Sequence, residues 1–349
     1  MLRIFTFALC WLALLCGLTA VNAAECPGNP DALGTSRVIA IDPAEHARLG
    51  TMQYSETLPL ADKEVVITFD DGPLPPYSTR VLDVLASECV KATYFLVGSM
   101  ARAYPDVARR IYAEGHTIGT HSQTHPFSFG RMSFTRIQFE VEEGISSVAA
   151  ALGDRKAVAP FFRIPGLARG TSVETYLHDS GLMTWSADFP ADDWMHIQAS
   201  EVLNRALRRI ESKGKGILLL HDIQPATALA LPHLLKELKA RGYHIVHVVP
   251  AGVERAKTVT EPQEWTYSRV RQPWPRVLST AAKPPLPAPR PAFAATEPTS
   301  DDDDLSATTQ SIQLPPPGLT MGPSIHLQHA KAKLRLSHPT FPPPLVILN

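Results

Sequence analysis

Charge of one sign is what this chain conspicuously lacks. Its 349 residues carry 33 Lys and Arg against 34 Asp and Glu, a formal charge of −1. That balance leaves no electrostatic footprint for a nucleic acid, and no basic stripe with interleaved aromatics makes up for it. Long hydrophobic runs are also scarce. The N-terminal run in "MLRIFTFALCWLALLCGLTAVNAAE" is short of the about 20 residues a stable membrane span needs. One arginine, an apolar stretch and a small-residue exit read as a signal peptide over residues 1–23, cleaved after Val21-Asn22-Ala23. The expected protein is exported, to the periplasm or beyond the cell, with no stable membrane span after cleavage. Cysteine is scarce too, with 4 in all. Cys10 and Cys16 leave with the leader, and the leucines before Cys16 argue against a lipid-bearing cysteine. Cys26 and Cys89 remain and allow one disulfide in an oxidising compartment. Cys26 lies in a Pro/Gly-rich entry segment of unknown position. The preferred expectation is therefore a buried free thiol at Cys89, beside an apolar strand.

Proline is abundant but unevenly placed, and most of the 32 lie beyond residue 250. From 258 to 349 the pattern dissolves into Pro, Ala, Thr and Asp with little to bury, which predicts a largely disordered tail. The Asp301–Asp304 run lacks the glycine and spaced ligands of a calcium loop and reads as solvated charge. Residues 24–60 read as an irregular N-terminal extension.

Between 61 and 257 strand-like and helix-like patterns alternate. "EVVITF" is a continuous β-branched run, as expected of a strand covered on both faces. "KATYFLVG", "HTIGTH", "APFFRIP", "LMTWSAD", "GILLLHD" and "HIVHVVP" follow, with helical patterns between them. Seven strands joined by helices require parallel pairing and right-handed crossovers, in a barrel or an open doubly wound sheet. Placement favours the barrel. Asp70, Asp71, His121, His125, Arg163, Asp188 and His221 all fall at or just after C-terminal strand ends, which in a barrel converge on one mouth.

"TFDDG" (68–72) ends the first of these strands with adjacent carboxylates. Two like charges in one pocket are costly unless a cation lies beside them. "HSQTH" (121–125) supplies two histidines four apart. Asp71, His121 and His125 make three ligands with mixed N and O donors and leave a position open for water, the ligand count of a catalytic zinc site. Asp70 is then free to take a proton from that water.

With "RIP", "WSAD…DW" and "LLLHD", these motifs occur in the order found in the polysaccharide deacetylase family, which the chain resembles over roughly residues 60–250. The family includes chitooligosaccharide, chitin and peptidoglycan deacetylases and acetylxylan esterases. The resemblance implies an α/β fold, a deformed (β/α) barrel of about seven parallel strands with its active site at the C-terminal strand ends. It implies a divalent metal, zinc or cobalt, on Asp71, His121 and His125, with Asp70 as general base. Arg163 would orient Asp70, and His221 would be the general acid. The residue after Pro165 is usually aromatic in the family and here is Gly166, which keeps the backbone N–H of the oxyanion hole but loses an aromatic wall. "DFPADDW" inserts residues before the family's Asp-Trp element, so Asp193 and Trp194 are expected to fill that role, with Asp192 and Asp188 as competitors for orienting His221. Leu219 is expected to line a pocket for the acetyl methyl. The implied reaction is removal of N-acetyl groups from an amino-sugar glycan of chitooligosaccharide or peptidoglycan type. An O-acetyl esterase of xylan or exopolysaccharide, or a non-catalytic glycan-binding derivative of the fold, are the alternatives.

Overall fold

The computed structural model describes residues 26–267. The expected signal peptide, and the expected tail from residue 268 onward, lie outside the described residues. The strands are β1 (Thr35–Ile41), β2 (Arg48–Leu49), β3 (Glu64–Asp70), β4 (Thr93–Leu96), β5 (Thr117–Thr120), β6 (Phe161–Arg163), β7 (Met183–Trp185), β8 (Phe189–Pro190), β9 (Gly216–His221) and β10 (His244–Pro250). The helices are α1 (Tyr77–Ser87), α2 (Gly98–Ala103), α3 (Pro105–Ala113), α4 (Phe134–Leu152), α5 (Thr171–Asp179), α6 (Ala199–Lys213) and α7 (Pro225–Ala240).

Every strand pairing is parallel. Sheet order runs β9-β3-β4-β5-β6-β7, and β8, just after β7 in sequence, pairs back onto β9. The sheet thus closes on itself through the bend between Trp185 and Phe189, where the barrel is deformed.

Strand periodicity carries the catalytic groups to the mouth. In β3, Val65, Ile67 and Phe69 face the helices, while Val66 faces the barrel interior with Phe95, Phe161, Trp185, Ile217 and Leu219. Side chains two apart share a face, so Asp70 ends the inward file Val66-Thr68-Asp70. The same parity sends Arg163 inward after Phe161, and His221 inward after Leu219. Each large apolar side chain buried in this interior contributes about 1.5–3 kcal/mol relative to exposure.

The segment before residue 60 is not irregular. "TSRVIAI" forms β1, which pairs with β10, and Arg48–Leu49 pairs with β7. These strands are short, and their partners lie far along the chain, so local pattern alone does not reveal them. Residues after 257 also dock. Trp265 is buried, its ring stacks on His46 with centroids 3.3 Å apart, and its carbonyl accepts from Thr57 N at 2.8 Å.

Cys26 and Cys89 form a disulfide, which corrects the free-thiol expectation. The entry segment lies against the end of α1, where Asn29 Nδ2 donates to Ser87 O at 2.9 Å and Leu33 N to Glu88 Oε2 at 2.8 Å. Those contacts bring the two sulfurs together across 63 residues. Among the described residues, no helix is long and apolar enough to cross a membrane.

Candidate active site

Arg163 is wholly buried inside the barrel. Its Nη1 donates to Asp70 Oδ1 at 2.6 Å and to Thr68 Oγ1 at 2.8 Å, and its Nη2 donates to Ser186 O at 2.9 Å. The guanidinium carbon also sits 4.2 Å from the centre of the Phe95 ring. A planar cation so fixed pairs with the buried Asp70 carboxylate and aims it in one direction. Thr68 and Ser186 were not among the expected site residues. Thr68, two before Asp70 on the same face, was findable from strand parity. The Ser186 contact uses a backbone carbonyl, for which side-chain pattern gives no signal.

Asp71, one residue on, leaves the strand with a φ of 76°. Its Oδ1 lies 3.4 Å from His121 Nε2 and 3.3 Å from His125 Nε2. His121 Nδ1 donates to Arg163 O at 2.7 Å, which leaves its Nε2 with a bare lone pair facing Asp71. Burial pushes the His121 pKa down, against the charges of Asp70 and Asp71, and so favours the neutral imidazole. His125 N donates to Ser122 Oγ at 3.0 Å.

These three residues fit a divalent metal. One donor atom from each lies within 4.8 Å of the others. The His–Asp spacings of 3.3 and 3.4 Å are close to the roughly 3.3 Å between two donors at about 2.0–2.1 Å on a tetrahedral ion. Asp71 Oδ1 is buried with no hydrogen-bond donor, a costly state that a cation relieves. Two imidazole nitrogens and a carboxylate oxygen are a donor set suited to zinc.

His221 faces this cluster from β9, its Nε2 at 4.0 Å from Asp71 Oδ2. Its Nδ1 is 2.8 Å from Asp193 Oδ1. The other oxygen of Asp193 accepts from His221 N at 2.7 Å and from Thr227 Oγ1 at 2.5 Å. Burial alone lowers the His221 pKa, but the hydrogen bond and charge of Asp193, with Asp71 and Asp70 beyond, outweigh it and raise the value to about 9. His221 is therefore a cation at neutral pH. Thr227, on α7, gave no sequence signal.

Of the three aspartates competing for His221, Asp193 alone reaches it. Asp188 is taken up by Thr51 N and Oγ1 at 2.9 and 2.6 Å, Thr57 Oγ1 at 2.7 Å and Ile217 N at 2.8 Å. It ties the N-terminal segment to the barrel. Asp192 pairs with Arg205 and Arg209 at 2.9 and 2.6 Å. The extra residues of "DFPADDW" are spent on strand β8, which pairs with β9, and on the turn that brings Asp193 under His221.

Trp194 is partly exposed and presents its ring edge-on to His221, with centroids 5.7 Å apart. Leu219 is buried in the barrel interior. Gly166 has φ 57°, a conformation an L side chain adopts only under strain. The one side chain bordering the space a Cβ would occupy there is Phe127, at 4.0 Å. Phe127 is strongly exposed and stands edge-on to His125. Sequence reasoning passed over it, because one exposed aromatic in a loop carries no pattern. Asp71, Ser122, His125 and Asp192 all have positive φ. Such strained non-glycine conformations gather at functional sites.

The family profile described as polysaccharide deacetylase matches residues 58–185, which include Asp70, Asp71, both histidines and Arg163 but stop short of Asp193 and His221. A peptidoglycan-N-acetylglucosamine deacetylase of Bacillus cereus is 31% identical over 189 residues, 52% of this chain and 67% of that protein. A chitooligosaccharide deacetylase of Sinorhizobium fredii is 31% identical over 214 residues, 56% of this chain and 95% of that protein. The solved structure of a Bdellovibrio bacteriovorus peptidoglycan deacetylase superposes with a TM-score of 0.56 at 31% identity, covering 64% of this chain and 62% of that one. With the closed parallel barrel and its strand-end cluster, these likenesses lead to one conclusion: the chain belongs to the polysaccharide deacetylase family, hydrolases acting on carbon–nitrogen bonds other than peptide bonds.

Proposed function

We propose that this protein is an exported, metal-dependent deacetylase that hydrolyses N-acetyl groups of an amino-sugar glycan and releases acetate. The observation that carries the reading is the placing of a base and an acid on two sides of one three-ligand cluster. Asp70 Oδ2 lies 3.9 Å from His121 Nε2 on one side, and His221 Nε2 lies 4.0 Å from Asp71 Oδ2 on the other. Names of the similar proteins, which act on peptidoglycan and chitooligosaccharide, support an amino-sugar substrate. Export rests on the leader-like N-terminus.

Asp71, His121 and His125 would hold a divalent ion, with zinc the first choice and cobalt a functional substitute; bound there, it supplies a Lewis acid and lowers the pKa of water. Asp70, aimed by Arg163, accepts a proton from water as the water oxygen bonds to the acetyl carbon. Negative charge that develops on the carbonyl oxygen is stabilised by the Gly166 N–H. When the carbon–nitrogen bond breaks, His221 gives its proton to the departing sugar nitrogen, leaving free amine and acetate. Asp193, bonded to Nδ1, keeps the His221 ring turned so that its Nε2 proton faces the cluster. Leu219 lines the space for the acetyl methyl. Trp194 and Phe127 offer exposed aromatic faces for sugar rings, Phe127 replacing the wall that Gly166 lacks.

Acetate release from chitooligosaccharides, peptidoglycan and acetylxylan tests the reading, with chelation and zinc re-addition as the second arm. Turnover of the amino-sugar polymers, abolished by chelation and restored by zinc, is expected. Turnover of acetylxylan alone would establish an esterase instead. Full activity in metal-free protein would overturn the ligand assignment.

A further inference from the structure

Glu140 breaks the pattern of its own helix. Its neighbours on the buried face of α4 are Ile137, Val141, Gly144, Ile145 and Val148, yet it is itself wholly buried. A buried carboxylate is costly unless both oxygens are engaged. Here they are. Oε2 accepts from Gln123 N at 3.1 Å and Thr124 N at 2.8 Å, and Oε1 accepts from Thr124 Oγ1 at 2.8 Å and Arg136 Nη2 at 2.7 Å. Three of these four bonds go to the two residues midway between His121 and His125.

The same loop is gripped from elsewhere. Gly98 N donates to Ser122 O and Ser99 N to Gln123 O, both at 2.9 Å. α4 lies so close that a Cβ on Gly144 would come 2.7 Å from the Ser122 carbonyl carbon. Ser122 and His125 are both held at positive φ, 68° and 54°, conformations that persist only where surrounding contacts impose them. His121 needs little of this, since it leaves β5 directly and is anchored by its ring to Arg163 O. His125 has no such ring anchor to backbone. Its position 3.3 Å from Asp71 Oδ1 depends on the path of residues 122–124.

From this geometry we propose that Glu140 is a positioning residue for the metal centre, holding the loop between the two histidines so that His125 is set in place before any ion binds. The proposal rests on the metal-site reading given above. Its action is on the backbone that carries a ligand, one step further from the ion than the hydrogen bonds that orient ligand side chains directly.

The test is zinc affinity of the full chain, by competition with a fluorescent zinc chelator, alongside thermal unfolding of the metal-free protein and turnover at saturating zinc. Glu140→Gln keeps the shape but halves the acceptor capacity. It is expected to weaken zinc binding about 10–100-fold, while saturating zinc restores most of the turnover. Thr124→Val removes one hydroxyl bond and leaves the buried helix face intact, and a several-fold loss of affinity is expected. That variant decides the matter if Glu140→Gln does not fold. Zinc affinity within twofold of wild type in the folded variants, with only the unfolding temperature lowered, would overturn the proposal and leave Glu140 a plain helix-to-loop brace. Failure of the wild-type chain to bind zinc would overturn both this inference and the metal-site reading.

Discussion

Arg163 Nη1 and Asp70 Oδ1 are joined at 2.6 Å inside the barrel, and both side chains are shut off from solvent. Asp71, the next residue, makes no such bond and turns to the two histidines. Adjacent carboxylates thus have separate partners, and separate tasks follow. Asp70→Asn is expected to bind metal normally and lose about 10²–10⁴-fold in turnover, beyond rescue by added metal. Asp71→Asn is expected to weaken metal binding, with partial rescue at high zinc. Elemental analysis beside acetate release distinguishes them, and the opposite pattern would exchange the two roles.

Arg163→Ala would leave Asp70 as a buried, unpaired charge. Removing one partner of a buried pair costs about 3–5 kcal/mol, so a large drop in stability is expected, read from urea unfolding. Arg163→Met keeps an apolar stem against Phe95 without the charge, and a loss as large as that of Arg163→Ala is expected. Near-complete recovery of stability in Arg163→Met would mean that packing against Phe95, rather than charge, dominates.

The raised His221 pKa, about 9, has two consequences. As proton donor it is competent below that value, so turnover should fall as pH rises through about 9. It also contributes to stability. The folded value lies above the unfolded one of about 6.5, so the contribution is complete below 6.5 and is lost as pH rises through 9. Asp193→Asn should move the basic limb of the rate profile towards neutrality. Its stability deficit should shrink as pH rises through 9. An unmoved basic limb would assign that limb to another group.

Trp265 makes the C-terminal boundary of the folded unit testable. A chain ended at 257 loses this ring and the Thr258 Oγ1 bond to Ala40 N at 2.9 Å. Deleting a buried aromatic costs about 3–5 kcal/mol. A chain ended at 267 should unfold at wild-type urea concentration and retain turnover on a soluble oligosaccharide, whereas one ended at 257 should be markedly weaker. Equal stability would place the boundary earlier.

The Cys26–Cys89 bond closes a long loop and ties the entry segment to α1. Replacing Cys26 with Ser is expected to cost about 2–4 kcal/mol, read from urea unfolding under oxidising conditions. Unchanged stability, with Cys26 and Cys89 both alkylated in the unreduced wild-type chain, would exclude the bond.

The residues of "TFDDG" and "HSQTH" were legible because their chemistry is local. Two carboxylates and two histidines sit within five-residue stretches, each at the C-terminal end of a strand-like run. Arg163 and His221 stood out only as groups at strand ends, and their expected roles came from the family resemblance. The sequence by itself therefore determined the barrel, the side of it that carries the chemistry, and most of the groups there. It did not determine which of Asp188, Asp192 and Asp193 meets His221, because that choice depends on how β8 pairs with β9. Nor did it reveal β1 and β2, the docking of Trp265, the disulfide, or the contact of Glu140 with the histidine loop. Each of these joins segments whose local patterns are complete without one another. Periodicity records which face of an element is buried, but the partner on that face is chosen by packing of the whole barrel, and only the tertiary structure decides it.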